Sequence, residues 1–316
     1  HQIEDSETDI MVTLDLAMLY DKMSKMLHDT RLENMVVCKF TDILPFPKNK
    51  LFSIFKAKEI AKVRVHKRIH HFDDLIDNDG VYAPVEINPV DDVAVLQYTG
   101  GTTGVPKGAM LTHQNIYANT VQCVKWFPDM KAGEGKIMGV LPFFHVFAMT
   151  VIMNYSVKNG FEIIALPRFD LKDALKAINK NKPHLFPAVP AIYNAINNCN
   201  FLDKYDLSSL QFCISGGAPL PVEVKKNFES ITGCVVVEGY GLSESSPVAC
   251  VNPMAGSNVA GSIGMPVPGT IVEIIDPDDQ KTIMPTGKRG ELCIRGPQVM
   301  KGYWNNPEAT AKTIIN

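Results

Sequence analysis

The chain has 316 residues, 46% of them hydrophobic and 21% charged, with a net charge of −3. That is enough material for one large or two ordinary domains around a buried core, and the charge balance excludes a general attraction to nucleic acid. No apolar run approaches the ~20 residues needed to span a bilayer and no signal peptide is visible, while seven scattered cysteines without a C-x-x-C pair point to a reducing, cytosolic compartment.

Residues 1–10 are acidic and do not begin with methionine. A strand over 11–14, a helix over 17–27 and a strand over 35–38 follow, an α/β beginning that reads as a partial subdomain over 1–90. The stretch 48–68 departs from the average: Lys48, Lys50, Lys56, Lys58, Lys62, Arg64, Lys67 and Arg68 face only Glu59, with Leu51, Phe52, Ile54, Phe55 and Ile60 between them. Such a basic amphipathic segment can lie on an anionic membrane surface, or it can be a solvated helix packing its apolar side on the domain. The short hydrophobic pattern favours the second reading. His66 and His70 stand four apart, but no carboxylate or cysteine completes a metal set, so they read as surface histidines.

From residue 91 the pattern becomes regular. An apolar strand over 93–97 runs into Tyr-Thr-Gly-Gly-Thr-Thr-Gly-Val-Pro-Lys-Gly at 98–108. Glycines let the backbone wrap closely around something small, and the hydroxyls of Thr99, Thr102 and Thr103, the loop N–H groups and Lys107 suit a polyanion, most naturally nucleotide phosphates. This is not a Walker A loop: Pro106 precedes Lys107 and Gly108 follows it, where that motif needs a hydroxyl after the lysine. The spacing also fails the G-x-G-x-x-G dinucleotide fingerprint. Thr112 is placed to cap a helix running to Trp126. Strands over 137–141, 161–166, 184–189, 210–215 and 234–237 alternate with helices over 171–182, capped by Asp170, over 191–197, and from 221 to Gly233. This grammar predicts a largely parallel sheet covered on both faces, an α/β subdomain over 91–257. After 258, frequent Gly and Pro between short strands predict a small β-rich subdomain over 258–316.

Ligands of open α/β sheets bind beyond the carboxyl ends of the strands, and four features fall there. One is the glycine–threonine loop. Another is His145, flanked by Phe143, Phe144 and Phe147, able to meet a carboxylate or phosphate while the phenylalanines hold an apolar substrate. A third, Ser215-Gly216-Gly217-Ala218-Pro219, would let a flat ligand lie against bare backbone. The fourth is Gly239-Tyr240-Gly241-Leu242-Ser243-Glu244: a tyrosine to stack on a purine, a hydroxyl for a phosphate oxygen, and a carboxylate suited to Mg²⁺.

In this order the segments closely resemble the AMP-forming adenylate synthetases, the superfamily of acyl-CoA synthetases, luciferases and peptide-synthetase adenylation domains. The resemblance continues through Gly261-Ser262-Ile263-Gly264-Met265-Pro266 and from Gly290-Glu291-Leu292 to Gly302-Tyr303-Trp304, covering most of 91–310. Within that superfamily the wording most resembles the bacterial long-chain fatty acid–CoA ligases. The resemblance implies the layered parallel-sheet fold of that superfamily and activation of a fatty acid to acyl-CoA through acyl-AMP, with ATP, Mg²⁺ and coenzyme A. It implies that Thr99, Gly100, Gly101, Thr102, Thr103, Gly104 and Lys107 hold the β- and γ-phosphates, and that His145 sits near the acyl carboxylate and α-phosphate. Gly217, Ala218 and Pro219 would border the adenine, Tyr240 between Gly239 and Gly241 would stack on it, Ser243 would contact the α-phosphate and Glu244 would coordinate Mg²⁺. The family usually has threonine where this chain has Ser243, but the hydroxyl is kept.

By the resemblance, the ribose-binding aspartate, the hinge and the mobile domain with the adenylation lysine are expected after these motifs and outside this chain, as is the front of the large domain. The expectation is an excerpt that binds ATP or acyl-AMP weakly and turns over poorly alone. Expected partners are fatty acid, ATP and coenzyme A, without nucleic acid; a peripheral contact with the inner membrane surface and a homodimer stay open. Rival readings are a P-loop enzyme, a ligase for a medium-chain or aryl acid, and a catalytically incomplete relative. The apolar stretch 143–157 favours the fatty chain over an amino acid, whose ammonium would want a carboxylate.

Overall fold

The structure, a computed structural model, describes residues 1–100, 105–127 and 130–315, and divides into two units, His1–Glu86 and Ile87–Asn316.

In the first unit β1 (Ile10–Leu14), β2 (Asn34–Cys38) and β3 (Ile69–His71) form a parallel sheet in that order. Helix Ala17–Asp29 links the first two strands and buries Tyr20 and Leu27 against Met35 and Val37. The basic stretch is helical only over Lys48–Phe55, followed by the single turn Ala57–Glu59. Phe52 packs edge-on against Phe40 at 5.0 Å, but Ile54 and Phe55 are 70% and 77% exposed. The apolar side is therefore only partly packed on the unit, less than the sequence pattern suggests. His70 Nε2 lies 3.0 Å from Asn34 Oδ1, and His66 Nδ1 accepts from the Arg68 N–H. Neither belongs to a group of potential metal ligands among the described residues.

The second unit opens with a hairpin, β4 (Val93–Thr99) and β5 (Lys107–Thr112), in which Thr99 faces Lys107. The sequence reading passes from the glycine–threonine loop to the helix without β5. The structure inserts this strand because its backbone is claimed on both sides: β4 pairs along one, and on the other Met110 N–H donates to the Gly302 carbonyl and Lys301 N–H to that of Met110. Lys107 thus begins a strand. Thr112 then caps helix His113–Trp126, its hydroxyl accepting from Asn115 N–H while the Asn115 side chain accepts from Thr112 N–H.

The large sheet has seven strands in the order β12-β11-β10-β9-β8-β6-β7. These are β6 (Lys136–Gly139), β7 (Glu162–Ala165), β8 (Leu185–Ala188), β9 (Phe212–Ser215), β10 (Val235–Gly241), β11 (Val248–Val251) and β12 (Met265–Pro266). Strands β6 to β10 pair in parallel, whereas β11 and β12 join antiparallel at one edge. One face is covered by helices Leu171–Asn181, Pro190–Asn197 and Val222–Thr232, whose Leu175, Ile178, Tyr193 and Phe228 close the core with Phe186 of β8. Asp170 accepts from Asp173 N–H at the start of the first, and Gly233 ends the last in the left-handed region. A second core holds Phe147, Val151, Ile152 and Tyr155, from a helical run that includes a π segment over Met149–Asn154, against Ile137, Ile214 and Val237 of the sheet.

Beyond residue 258, β13 (Ile271–Ile275) and β14 (Glu291–Arg295) form a separate antiparallel pair. The stretch is nevertheless joined to the preceding fold at two places: β12 closes the large sheet, and residues 301–304 pair with β5. Among the described residues no helix is long and apolar enough to cross a membrane.

Candidate active site

A cavity of about 280 Å³ opens beyond the carboxyl ends of β9 and β10, inside the second core. Its floor is apolar, formed by Phe127, Val146, Phe147, Val151, Ile214, Val248 and Val251; its rim carries His145, Gly216, Gly217, Gly239, Tyr240, Gly241 and Ser243. Three segments far apart in sequence therefore meet at one opening, as parallel strands ending on one side require.

Each rim group is held by local structure. His145 is exposed and begins the helical run; its Nδ1 accepts from Phe147 N–H at 3.2 Å. A ring whose Nδ1 accepts carries its proton on Nε2, which leaves that N–H as a donor for a carboxylate or phosphate oxygen. Gly216 sits closely packed: an added Cβ would come within 3.3 Å of the Phe147 ring and 3.4 Å of the Gly239 carbonyl oxygen. The Glu238 carboxylate fastens the neighbouring turns by accepting from Gly261 N–H at 2.8 Å and Leu220 N–H at 3.4 Å. Ala218 and Pro219 lie in the Gly216–Leu220 turn but do not line the cavity.

The sequence places the motif around Tyr240 beyond the end of a strand over 234–237; the structure continues β10 through Gly241. Val235–Glu238 pair in parallel with β9, and then Gly239 and Tyr240 pair antiparallel with Val251 and Cys250 of β11. Glycine's low strand propensity is overridden by a partner strand that returns through the tight turn after Ser243. Burial pushes the Tyr240 phenol up from its ordinary range. Of the three phenylalanines expected around an apolar substrate, only Phe147 lines the cavity. Phe143 packs into the second core, and Phe144 is 80% exposed, placed there by the turn into the helix.

The phosphate-side groups stand apart from this cavity. Thr99 ends β4, Gly100 follows it and Lys107 begins β5; Gly101, Thr102, Thr103 and Gly104 lie outside the described residues. The turn Ser243–Ser245 packs against both strands of the hairpin, which brings Glu244 to the Lys107 side. Between them is Tyr303, which sequence reading passed over. Its hydroxyl donates to Glu244 Oε1 at 2.6 Å, and Lys107 Nζ lies 4.7 Å from its ring centroid. Burial and then the Glu244 carboxylate push the Tyr303 phenol up to about 12, so it keeps its proton. The only signal for Tyr303 in the sequence is its place inside the Gly302-Tyr303-Trp304 motif.

Among the described residues no three His, Cys, Asp or Glu side chains gather to hold an ion. A lone carboxylate such as Glu244, near a cationic loop, fits an ion that arrives with phosphates and keeps water ligands, as Mg²⁺ does, and does not fit an all-protein metal cage.

The sequence pattern of the AMP-binding enzyme family matches residues 1–304, and the chain belongs to that family. Within it, the chain is 46% identical to a long-chain-fatty-acid–CoA ligase of Bacillus subtilis over 99% of its own length and 56% of the relative's. It is 37% identical to a probable 4-coumarate–CoA ligase of Dictyostelium discoideum over 77% of its length and 44% of that relative's. The crystal structure of a long-chain-fatty-acid–CoA ligase from Archaeoglobus fulgidus superimposes with a TM-score of 0.77 at 26% identity, over 99% of this chain and 58% of that one. The chain thus spans about half the length of the ligases it matches, and its fold matches that of the N-terminal domain of the adenylate-forming enzymes.

Proposed function

We propose that this chain forms the nucleotide- and acid-binding part of a ligase that activates a long-chain fatty acid as acyl-AMP and passes it to coenzyme A. The observation that carries this reading is the meeting of His145, Gly216–Gly217, Tyr240 and Ser243 around one apolar-floored cavity at the ends of β9 and β10. In it the acyl carbons lie against Phe147, Val151, Ile214 and Val248, and the carboxylate faces the His145 Nε2–H. Gly217, Ala218 and Pro219 border the adenine, Tyr240 covers its face, and Gly239 and Gly241 keep the strand thin beneath it. Thr99, Gly100 and Lys107, with the loop 101–104, hold the β- and γ-phosphates.

A fatty carboxylate is ionised at neutral pH, so the first step needs no general base. Its oxygen attacks the α-phosphorus of ATP while the bond to the β-phosphate oxygen breaks, giving acyl-AMP and pyrophosphate. The thiol of coenzyme A then displaces AMP at the acyl carbon. What the chain supplies is alignment and donors where negative charge develops: Lys107 on the leaving group, the Ser243 hydroxyl and His145 at the α-phosphate. Glu244 would hold Mg²⁺, which when bound neutralises phosphate charge.

Acid-dependent exchange of pyrophosphate into ATP by the full-length protein tests this reading across acyl lengths and aryl acids. Long-chain acids should support exchange well above aryl acids. The Dictyostelium likeness makes the aryl acid the second reading, and a preference for it would reverse the assignment. No exchange with any acid would mark a catalytically incomplete member.

We also propose that helix Lys48–Phe55 rests on an anionic membrane surface. It shows Leu51, Ile54 and Phe55 to solvent beside Lys48, Lys50 and Lys56, a composition suited to the headgroup boundary. Flotation with vesicles containing phosphatidylglycerol should recover the protein, and Lys48→Glu with Lys50→Glu should reduce recovery at least several-fold. Flotation unchanged by those substitutions would rule the contact out.

A further inference from the structure

Lys107 and Glu244, the one cation and one carboxylate given to the phosphates and their metal, are both engaged by a single side chain. Tyr303 presents its hydroxyl to Glu244 Oε1 at 2.6 Å and its ring to Lys107 Nζ at 4.7 Å from the centroid. It is 6% exposed, and its own segment is stitched to both neighbours. Trp304 N–H donates to the Gly108 carbonyl and Met300 N–H to the Glu244 carbonyl, each at 2.8 Å, while Tyr303 N–H donates to Thr310 Oγ1 at 2.9 Å. The ring therefore has little freedom to turn away.

Left alone, a lysine on a four-carbon stem and a carboxylate brought to the same turn would tend to neutralise each other, which would blunt both. An aromatic face attracts the ammonium without taking up its charge, and a phenol donor fixes one carboxylate oxygen while further lone pairs stay open to a cation. Resting on the function proposed above, we infer that Tyr303 is a positioning residue. It stands between the phosphate-loop lysine and the metal-binding carboxylate, keeps them apart, and aims each at its own part of the bound Mg·ATP.

The two ends of Tyr303 can be removed separately. Tyr303→Phe keeps the buried ring and deletes the donor; Tyr303→Leu removes both. Calorimetry of ATP binding to the full-length protein, with and without Mg²⁺, is the readout, alongside the split of exchange kinetics into kcat and KM. Tyr303→Phe should raise the Mg²⁺ concentration needed for half-maximal ATP binding about tenfold, the worth of a hydrogen bond to a charged group, and leave metal-free ATP affinity within about twofold. Tyr303→Leu should weaken metal-free ATP binding as well. In Glu244→Gln, the Mg²⁺ dependence should be lost and Tyr303→Phe should add nothing to it. An unchanged Mg²⁺ requirement in Tyr303→Phe overturns the inference while leaving Glu244 in its role. So does a Tyr303→Phe effect that persists in full beside Glu244→Gln. If Glu244→Gln itself leaves the Mg²⁺ dependence intact, the metal-binding reading of Glu244 fails and the inference falls with it.

Discussion

Gly241→Ala is expected to destabilise the second unit by about 3 kcal/mol or more, a loss of the kind that follows when a side chain is forced into fixed backbone. The added methyl would lie 1.9 Å from the Pro247 carbonyl oxygen and 2.6 Å from its carbon. That carbonyl cannot move aside freely, because it accepts from Leu242 N–H at 3.1 Å and from the Ser245 hydroxyl at 2.5 Å, the bonds that close the turn after Ser243. Relief requires β10 and β11 to part beneath Tyr240. Gly239→Ala is the control two residues earlier: its methyl would meet the Ile214 Cγ2 at 3.6 Å, an ordinary contact. In thermal denaturation the first variant should melt at least several degrees below the second. Equal melting would mean that the turn is softer than its hydrogen bonds imply.

His145→Ala should lower acid-dependent pyrophosphate exchange by roughly 10²–10³-fold, the range for loss of one donor aimed at developing charge. The fold should hardly register the change. The ring is exposed, and the bond its Nδ1 accepts caps a helical turn, worth about 1 kcal/mol. The pairing of a large rate loss with a near-native melting curve is what separates a group that faces the reactants from one that packs the core. A rate within about threefold of the parent protein would remove His145 from the reacting centre.

Much of the site was legible because its residues sit where apolar strands run out. Val93–Thr99, Phe212–Ser215 and the start of β10 are short apolar runs that each lead into a glycine, and the helices between them announce themselves through Thr112, Asp170 and Gly233. Periodicity and caps therefore gave the alternation, and the parallel rule gave the side on which His145, Gly217, Tyr240 and Ser243 come together. What escaped were features set by partners distant in sequence. The run Lys107–Thr112 becomes a strand because residues 301–304 and β4 flank it, and Gly239–Gly241 stay extended because β11 returns alongside. Phe143 and Phe144 looked as well placed as Phe147 until the turn into the helix sent one into the core and one to solvent. Tyr303 is visible in the sequence only as part of the Gly302-Tyr303-Trp304 motif, since its importance is a matter of what it touches.

The order of the seven-stranded sheet has one more consequence, for the company the protein keeps in concentrated solution. A sheet ends in rows of unpaired backbone groups that invite another chain to add itself as the next strand. Here the β12 end is two residues long and includes Pro266, whose nitrogen has no hydrogen to offer, while β7 at the opposite end is four residues long and carries Glu162, bridged to Lys136 at 3.2 Å. Brevity, a proline and a charged pair blunt both ends. The antiparallel pair that turns β10 back on itself thus does more than shape a binding site. Beyond it, among the described residues, the sheet closes on the short, proline-bearing β12.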